Sequence, residues 1–245
     1  MRFMAFASRN RKEILRDPLS VFFGIGFPLA ILLLLSAIQA NIPVNLFEIG
    51  HLAPGIAVFG LSFISLFSGT LLAKDRGEAF LMRLFSSPLT ASDFILGYTL
   101  PLIPISLAQS GVCFIAAFAL GMAVNLNVLL GLVVLIPTAV LFIGIGLLGG
   151  SLLNEKQVGG ICGALLTNLS AWLSGTWFDL NLVGGGFKTI AYLLPFAHAV
   201  DATRAAVAGN YAGIFPHLWW VIGYALVISI IAVIAFRRKM SGDQI

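Results

Sequence analysis

The histidines, cysteines and carboxylates of this chain have spacings that predict no active site. No two of the three histidines, His51, His198 and His217, have the H-x-x-x-H spacing of metal ligands on one helix face. Cys113 and Cys162 lie inside apolar runs, where a free cysteine behaves as a small hydrophobic residue. We therefore expect no metal site, disulfide or catalytic nucleophile, and we predict that the chain is not an enzyme.

A glycine-rich stretch resembles a nucleotide site only superficially. Residues 184–189 read GGGFKT, but the glycine and lysine are not adjacent as a phosphate loop requires, and no strand pattern precedes them. The chain contains no G-x-x-x-x-G-K-[ST] sequence. We interpret this stretch as a flexible turn and expect no cofactor to bind to this chain.

The stretch that follows the second apolar run has the pattern of an amphipathic helix. Residues 75–89 read DRGEAFLMRLFSSPL, with apolar positions on one helical face and polar positions on another. Pro88 would end this helix, and the spacing of Thr90 and Asp93 predicts a capping box at the start of the next one. The helix either rests on the lipid surface or packs into a groove on a partner protein. In the second case the packing and orienting side chains are Phe80, Leu81, Leu84, Arg76, Glu78 and Arg83.

These residues belong to a chain that is predominantly apolar. Hydrophobic residues make up 59% of it and charged residues 10%, against about 25% charged in a soluble domain. Six runs almost free of charge have about the 20 residues that a helix needs to cross a bilayer. They are residues 18–38, 52–73, 94–122, 127–153, 157–176 and 217–236. We therefore predict an all-α integral membrane protein with six transmembrane helices in a single domain, 1–245.

The basic residues predict the orientation of these helices. Twelve of the 14 Lys and Arg residues fall on one side, and only Lys188 and Arg204 fall on the other. By the positive-inside rule both termini and the loop 74–93 are cytoplasmic. Basic side chains beside membrane helices meet anionic lipid, so the net charge of +4 predicts membrane lipid rather than nucleic acid as a partner.

Local signals refine this picture near the amino terminus and in the middle of the chain. Residues 1–17 mix apolar and basic positions, which predicts a helix lying in the membrane interface. Asp17 is the expected N-cap of the following helix, with Pro18 at its first position. The spacings Gly146 to Gly150 and Gly159 to Gly163 predict close packing of the two helices that carry them.

Residues 187–210 are apolar enough to suggest a further span, but they contain the charged or histidine side chains Lys188, His198, Asp201 and Arg204. A charge at the bilayer centre costs roughly 2.5–3.5 kcal/mol. A further crossing would also move the basic carboxyl terminus to the outside. We therefore predict short external helices, broken at Pro195, that dip into the membrane or lie along its surface.

Two segments resemble one protein family. The first is similar to the pattern D-R-E-x-G-F-x-x-R-L-x-x-x-P between the second and third spans of ABC-2 type transporter permeases. The matching residues are Asp75, Arg76, Phe80, Arg83, Leu84 and Pro88, and the departures are Gly77, Glu78 and Ala79. The second, LPFAHAVDATRAAVAG at residues 194–209, resembles the family's pattern before the last span. There the matching residues are Leu194, Pro195, Asp201, Arg204 and Gly209.

The resemblance implies a permease that dimerises with itself or with a second permease chain. A separate ATPase subunit, which would hold ATP and Mg, would dock on the cytoplasmic side. The coupling residues that it implies are Asp75, Arg76, Glu78, Phe80, Leu81, Arg83, Leu84 and Pro88. Pro195, Asp201 and Arg204 would order a short helix at the external gate, whereas on physical grounds alone Asp201 and Arg204 form an exposed ion pair.

We therefore expect the membrane subunit of an ABC-2 type exporter in a bacterial plasma membrane. Apolar spans, 20 Phe residues and no large extramembrane domain favour a hydrophobic or amphipathic substrate such as a drug, an antibiotic or a lipid. The alternative is a membrane protein that anchors a partner complex without transport, which would need no coupling helix. A secondary transporter is disfavoured because the sequence shows neither inverted repeats nor paired ionisable residues within the spans.

Overall fold

The computed structural model describes residues 2–77 and 90–242, and these form helices and no strands. In chain order the helices are α1 (Arg2–Arg16), α2 (Pro18–Gln39), α3 (Ile49–Gly77), α4 (Ala91–Ala119), α5 (Asn127–Leu152), α6 (155–173), α7 (Leu180–Val183), α8 (Gly185–Leu193), α9 (Pro195–Val207) and α10 (Tyr211–Gly242). Two helices contain π-helical turns, Phe22–Gly26 in α2 and Gly159–Leu166 in α6. The all-helical fold expected of a membrane permease is therefore present.

Five helices in the described ranges are long and apolar enough to cross a membrane. They are Pro18–Gln39, Ile49–Gly77, Asp93–Ala119, Asn127–Leu152 and Tyr211–Lys239. The predicted span 157–176 corresponds to α6, whose first turn holds the polar residues Glu155, Lys156 and Gln157 and which ends at Leu173. Because α6 is not among the five, the sixth crossing stays a prediction.

The helix starts follow the local sequence signals. The Asp17 carboxylate accepts a hydrogen bond from the backbone N–H of Leu19, which confirms the predicted N-cap. Thr90 and Asp93 form the predicted capping box at the start of α4. Asn154 and Gln157 form a second capping box that fixes the sharp turn between α5 and α6.

Helix α3 lies at the centre of the fold. Between Leu52 and Ala73 its residues are buried, with Leu66 and Thr70 as the partly exposed exceptions. It packs most closely against α5, where Gly146 faces Ser65 and Ser68 and Gly150 faces Gly69. The predicted packing partner of the Gly146–Gly150 step was therefore wrong. The step lets α5 approach α3, whereas Gly159 of α6 faces open space.

Helix α1 lies against the first turns of α4. Phe6 is buried beside Phe94 and Tyr98, and the Asn10 side chain donates to the Gly97 carbonyl oxygen at 3.1 Å. On the opposite side of α1, Leu15 is exposed. The helix thus has one face on the protein and one face outward.

The segment before the last helix forms α8 and α9, which meet at Leu194 and Pro195. Proline at the first position of α9 lacks a backbone N–H that the helix would not have used, so it favours a new helix there. Most of α9 is buried against α5, α10 and α3. This segment is therefore built into the bundle.

Candidate functional site

The first motif segment begins at a carboxylate, Asp75, that joins three helices. Asp75, near the end of α3, has no exposed surface. Its Oδ2 lies 2.6 Å from Nη1 of Arg9 on α1 and accepts a hydrogen bond at 2.7 Å from the Tyr98 hydroxyl of α4. Its Oδ1 has no partner in the described part of the chain. A buried carboxylate requires such donors, because its desolvation is otherwise very unfavourable.

A second carboxylate continues this network towards solvent. Glu13 of α1 lies 2.6 Å from Nη2 of Arg9 and 3.0 Å from Nζ of Lys74. Two cations and two carboxylates therefore alternate between α1 and α3. The four side chains neutralise one another and fasten α1 to the end of α3.

Arg76 makes a different connection. Its guanidinium donates to the carbonyl oxygens of Gly150, Ser151 and Leu153 at the end of α5. The last carbonyls of a helix lack partners within the helix, and a cation is favourable there. Asp75 and Arg76 together tie α3 to α1, α4 and α5 just before residues 78–89. The other predicted coupling residues, Glu78, Phe80, Leu81, Arg83, Leu84 and Pro88, lie outside the described residues.

On the opposite end of α3, Arg204 of α9 holds two carbonyl groups. Its Nε donates to the His51 oxygen at 3.1 Å and its Nη2 to the Gly175 oxygen at 2.9 Å. Burial lowers the pKa of Arg204 to about 10, so the group is charged at neutral pH. Nη1 lies 3.8 Å from Oδ1 of Asp201, so the ion pair is the longest of these contacts. Arg204 therefore serves mainly to bind α9 to the start of α3.

Asp201 has its own partner. The Tyr192 hydroxyl of α8 donates to Oδ2 of Asp201 at 2.8 Å, and burial raises the pKa of Tyr192 to about 12. The side chain of Asp201 is 25% exposed and that of Arg204 13%, so the expectation of an exposed pair was wrong. Pro195, the third predicted gate residue, is buried at the start of α9.

Two histidines form a pair that sequence spacing did not predict. Nδ1 of His198 on α9 lies 2.9 Å from Nδ1 of His217 on α10, and the His198 ring stacks on Trp220. Nε2 of His198 lies 2.9 Å from the Tyr192 carbonyl oxygen, which can only accept, so Nε2 carries a hydrogen. In neutral His198 the Nδ1 atom is then the acceptor, and His217 donates. Within residues 2–77 and 90–242 no group of three or more potential metal ligands surrounds this pair.

Comparison with known proteins finds relatives that match most of the chain. The chain is 24% identical to Nodulation protein J of Rhizobium meliloti (strain 1021) over 92% of its own length and 85% of that protein. It is 30% identical to ycf38 of Pyropia yezoensis, which is named as a transport permease, over 82% of its own length and 72% of the relative. The ycf38 protein of Porphyra purpurea is 29% identical over the same shares.

A family model described as ABC-2 type transporter matches residues 1–208. The match includes the first motif segment and the second except for Gly209. The predicted resemblance is thereby confirmed, and with five apolar helices the protein is a multi-pass membrane protein. The chain belongs to the ABC-2 type transporter family, as a transport permease.

Proposed function

We propose that this chain is the membrane subunit of an ATP-driven exporter and that a separate ATPase subunit docks on residues 75–89. The observation that carries the proposal is the junction at Asp75 and Arg76. These two residues are the first of the predicted coupling segment and contact three helices besides their own. A displacement of the segment would therefore act on α1, α4 and α5 through short polar contacts.

The external end of the same helix supplies the second part of the proposal. Arg204 binds the start of α3, and Asp201 binds α8 through Tyr192. With Pro195 setting the start of α9, these residues would form the external gate. Opening this gate would require the Arg204 contacts to the His51 and Gly175 carbonyl groups to separate.

The proposed cargo is hydrophobic or amphipathic, such as a drug, an antibiotic or a lipid. It would move through a dimer of permease chains in a bacterial plasma membrane with both termini cytoplasmic. Large apolar side chains face outward along α2 and α10, including Phe22, Leu34, Trp219 and Leu226. Such surfaces favour contact with acyl chains or with cargo dissolved among them.

The docking proposal is tested with the double variant Phe80→Ala and Leu84→Ala. The tagged chain is purified from its native membrane, and the co-purifying ATPase activity is measured. Removing two apolar anchors of an interface should lower that activity at least about tenfold. A matched control removes two exposed apolar side chains of α10, Leu226→Ala and Ile230→Ala, and should leave the activity unchanged.

Two outcomes would count against this function. Equal ATPase activity in the double variant and the wild type would favour the alternative in which residues 75–89 rest on the lipid surface. Stable association with a partner complex that hydrolyses no ATP would favour the anchoring protein instead.

A further inference from the structure

A cavity lies between α1 and the end of α3, where the chain enters the first span. Its volume is about 730 Å³, which is within the size range of small-molecule sites. Its charged lining consists of Arg9, Lys12, Glu13, Arg16, Asp17 and Lys74. Neither the coupling junction nor the external contacts account for this cavity.

Some charged side chains of the cavity lining have polar or charged partners, and others form no ion pair in the described ranges. Glu13 pairs with both Arg9 and Lys74, and Arg9 also pairs with Asp75. The carboxylate of Asp17 accepts from the Leu19 backbone and the Ser20 hydroxyl. Lys12 and Arg16 are exposed, and neither forms an ion pair in the described ranges. Two cations are therefore available to an anion.

These two cations lie on one face of α1. Residues four apart on a helix are neighbours, so Ser8, Lys12 and Arg16 form a row of one hydroxyl and two cations along the cavity. Arginine offers a planar set of donors that fits two oxygens of a phosphate, and lysine adds a point charge. The row is suited to a phosphate group.

Some apolar side chains lie near the row on the side where α2 begins, among the polar residues Ser20, Thr70 and Glu155. A smaller cavity of about 160 Å³ shares Glu13, Asp17 and Lys74 with the first and reaches Phe67 and Leu71. Immediately after Pro18, Leu19 and Phe22 of α2 are 66% and 55% exposed. A ligand with a phosphate on the row would therefore have its remaining part beside apolar surface.

We propose that this groove binds the headgroup of an anionic phospholipid. Its phosphate would contact Lys12 and Arg16, and an acyl chain would lie along Leu19 and Phe22. Because Pro18 starts a membrane span, the groove is at headgroup depth in the leaflet that α1 faces. This proposal is independent of ATPase docking and of the cargo.

The proposal is tested by native mass spectrometry of the detergent-purified chain with added phosphatidylglycerol or phosphatidylcholine. The wild type should retain phosphatidylglycerol in preference to phosphatidylcholine. The double variant Lys12→Gln and Arg16→Gln should lose most of that preference, since each cation near anionic lipid contributes about fivefold. The control Arg237→Gln and Arg238→Gln removes the same amount of charge from exposed residues of α10. It should retain the preference for phosphatidylglycerol.

The other outcomes separate the competing ligands. Displacement of phosphatidylglycerol by millimolar inorganic phosphate would show a free-anion site and overturn the lipid assignment. Equal loss of preference in the control variant would show a general effect of surface charge, which also overturns it. Loss of the co-purifying ATPase with unchanged lipid retention in the Lys12 and Arg16 variant would assign the groove to a protein partner. If the double variant is unstable, Arg16→Glu alone should still reduce the preference.

Discussion

The Asp75 carboxylate has no contact with solvent, and both donors on its Oδ2 come from other helices. Removing the carboxylate would leave the buried Tyr98 hydroxyl without this acceptor and would take from the Arg9 guanidinium one of its carboxylate partners. Loss of one partner from a buried charged pair costs more than the pair itself contributes to stability. The contacts of Asp75 should therefore contribute more to stability than the other contacts of the junction among α1, α3 and α4.

This ranking is a testable prediction. Asp75→Ala should lower the free energy of unfolding by about 3 kcal/mol, and Tyr98→Phe by about 1.5 kcal/mol. Lys74→Gln removes a bridge whose lysine is 48% exposed and should cost less than about 1 kcal/mol. Unfolding by denaturing detergent in mixed micelles measures all three. Equal costs for Asp75→Ala and Lys74→Gln would contradict the buried network.

The His198 and His217 pair predicts a dependence on pH. Burial lowers the pKa of His198 below its ordinary value of about 6.5, so the unfolded chain takes up the proton first. The stability contributed by neutral His198 is therefore complete above about pH 6.5 and is lost as the pH falls below it. The nearby groups Asp201, Tyr192, His217 and Tyr224 belong to the three helices around this ring.

Thermal unfolding at pH 7.5 and pH 5.0 checks this prediction. The difference in unfolding temperature between the two pH values should be larger for the wild type than for His198→Gln, which cannot take up a proton. Identical pH dependence in the two proteins would show that His198 titrates as an exposed histidine does.

At the scale of elements, small residues determine how closely α3 and α5 pack. A Cβ atom on Gly146 would lie 2.0 Å from the Ser68 hydroxyl and 2.1 Å from the Ser65 carbonyl oxygen. A methyl group there can be accommodated only if the two helices separate. The contact between α3 and α5 is therefore sensitive to a single carbon atom.

Gly146→Ala should lower the free energy of unfolding by about 2 kcal/mol, the usual cost of overpacking. Gly159→Ala is the matched control, because a Cβ atom at Gly159 meets nothing within 4 Å. Both variants are compared by the same unfolding measurement. If Gly159→Ala lowered the free energy of unfolding as much as Gly146→Ala, the close packing of α3 on α5 at Gly146 would be contradicted.

The junction between α9 and α3 depends on hydrogen bonds from Arg204 to backbone carbonyl groups, and this determines the expected effect of charge reversal. Arg204→Asp should impair transport, because it removes the donors to the His51 and Gly175 oxygens. The double exchange of Asp201 and Arg204 should not restore it, since position 201 faces Tyr192. Transport assays of the single and double exchanges test this. Recovery by the double exchange would identify the ion pair as the essential contact.

Elements with local signals were predictable from sequence, and contacts between elements were not. The N-cap at Asp17 and the capping box at Thr90 depend on residues at most three positions apart. His198 and His217 are 19 positions apart and meet only because α9 packs on α10. The partners of Asp75 on α1 and α4 were missed for the same reason. Nothing in the sequence around Arg9 or Tyr98 indicates that either side chain contacts Asp75.

At the scale of the whole molecule, membrane topology is the property to test. In a background without Cys113 and Cys162, single cysteines at Arg11, Ser86 and Gln244 should react with impermeant thiol reagents only after cells are opened. A cysteine at the exposed position Asn45 should react in intact cells. Arg11 is exposed, so a cysteine at position 11 is accessible to the reagent once cells are opened. Labelling of position 244 from outside would exclude six crossings with both termini inside.

The two ends of α3 are 24 residues apart between His51 and Asp75, roughly 36 Å at the rise of an α-helix. Asp75 and Arg76 anchor one end, Arg204 anchors the other, and Pro54 is the one proline between them. Proline removes a hydrogen bond within a helix, so we expect α3 to be stiffer between Asp75 and Pro54 than at the turn that holds His51. On the proposed mechanism, a displacement of Gly77 would be transmitted along α3 as far as Pro54 and would bend the helix there. The bend would change the position of His51 relative to Arg204, so movement at one end of α3 would act on the contact at the other end.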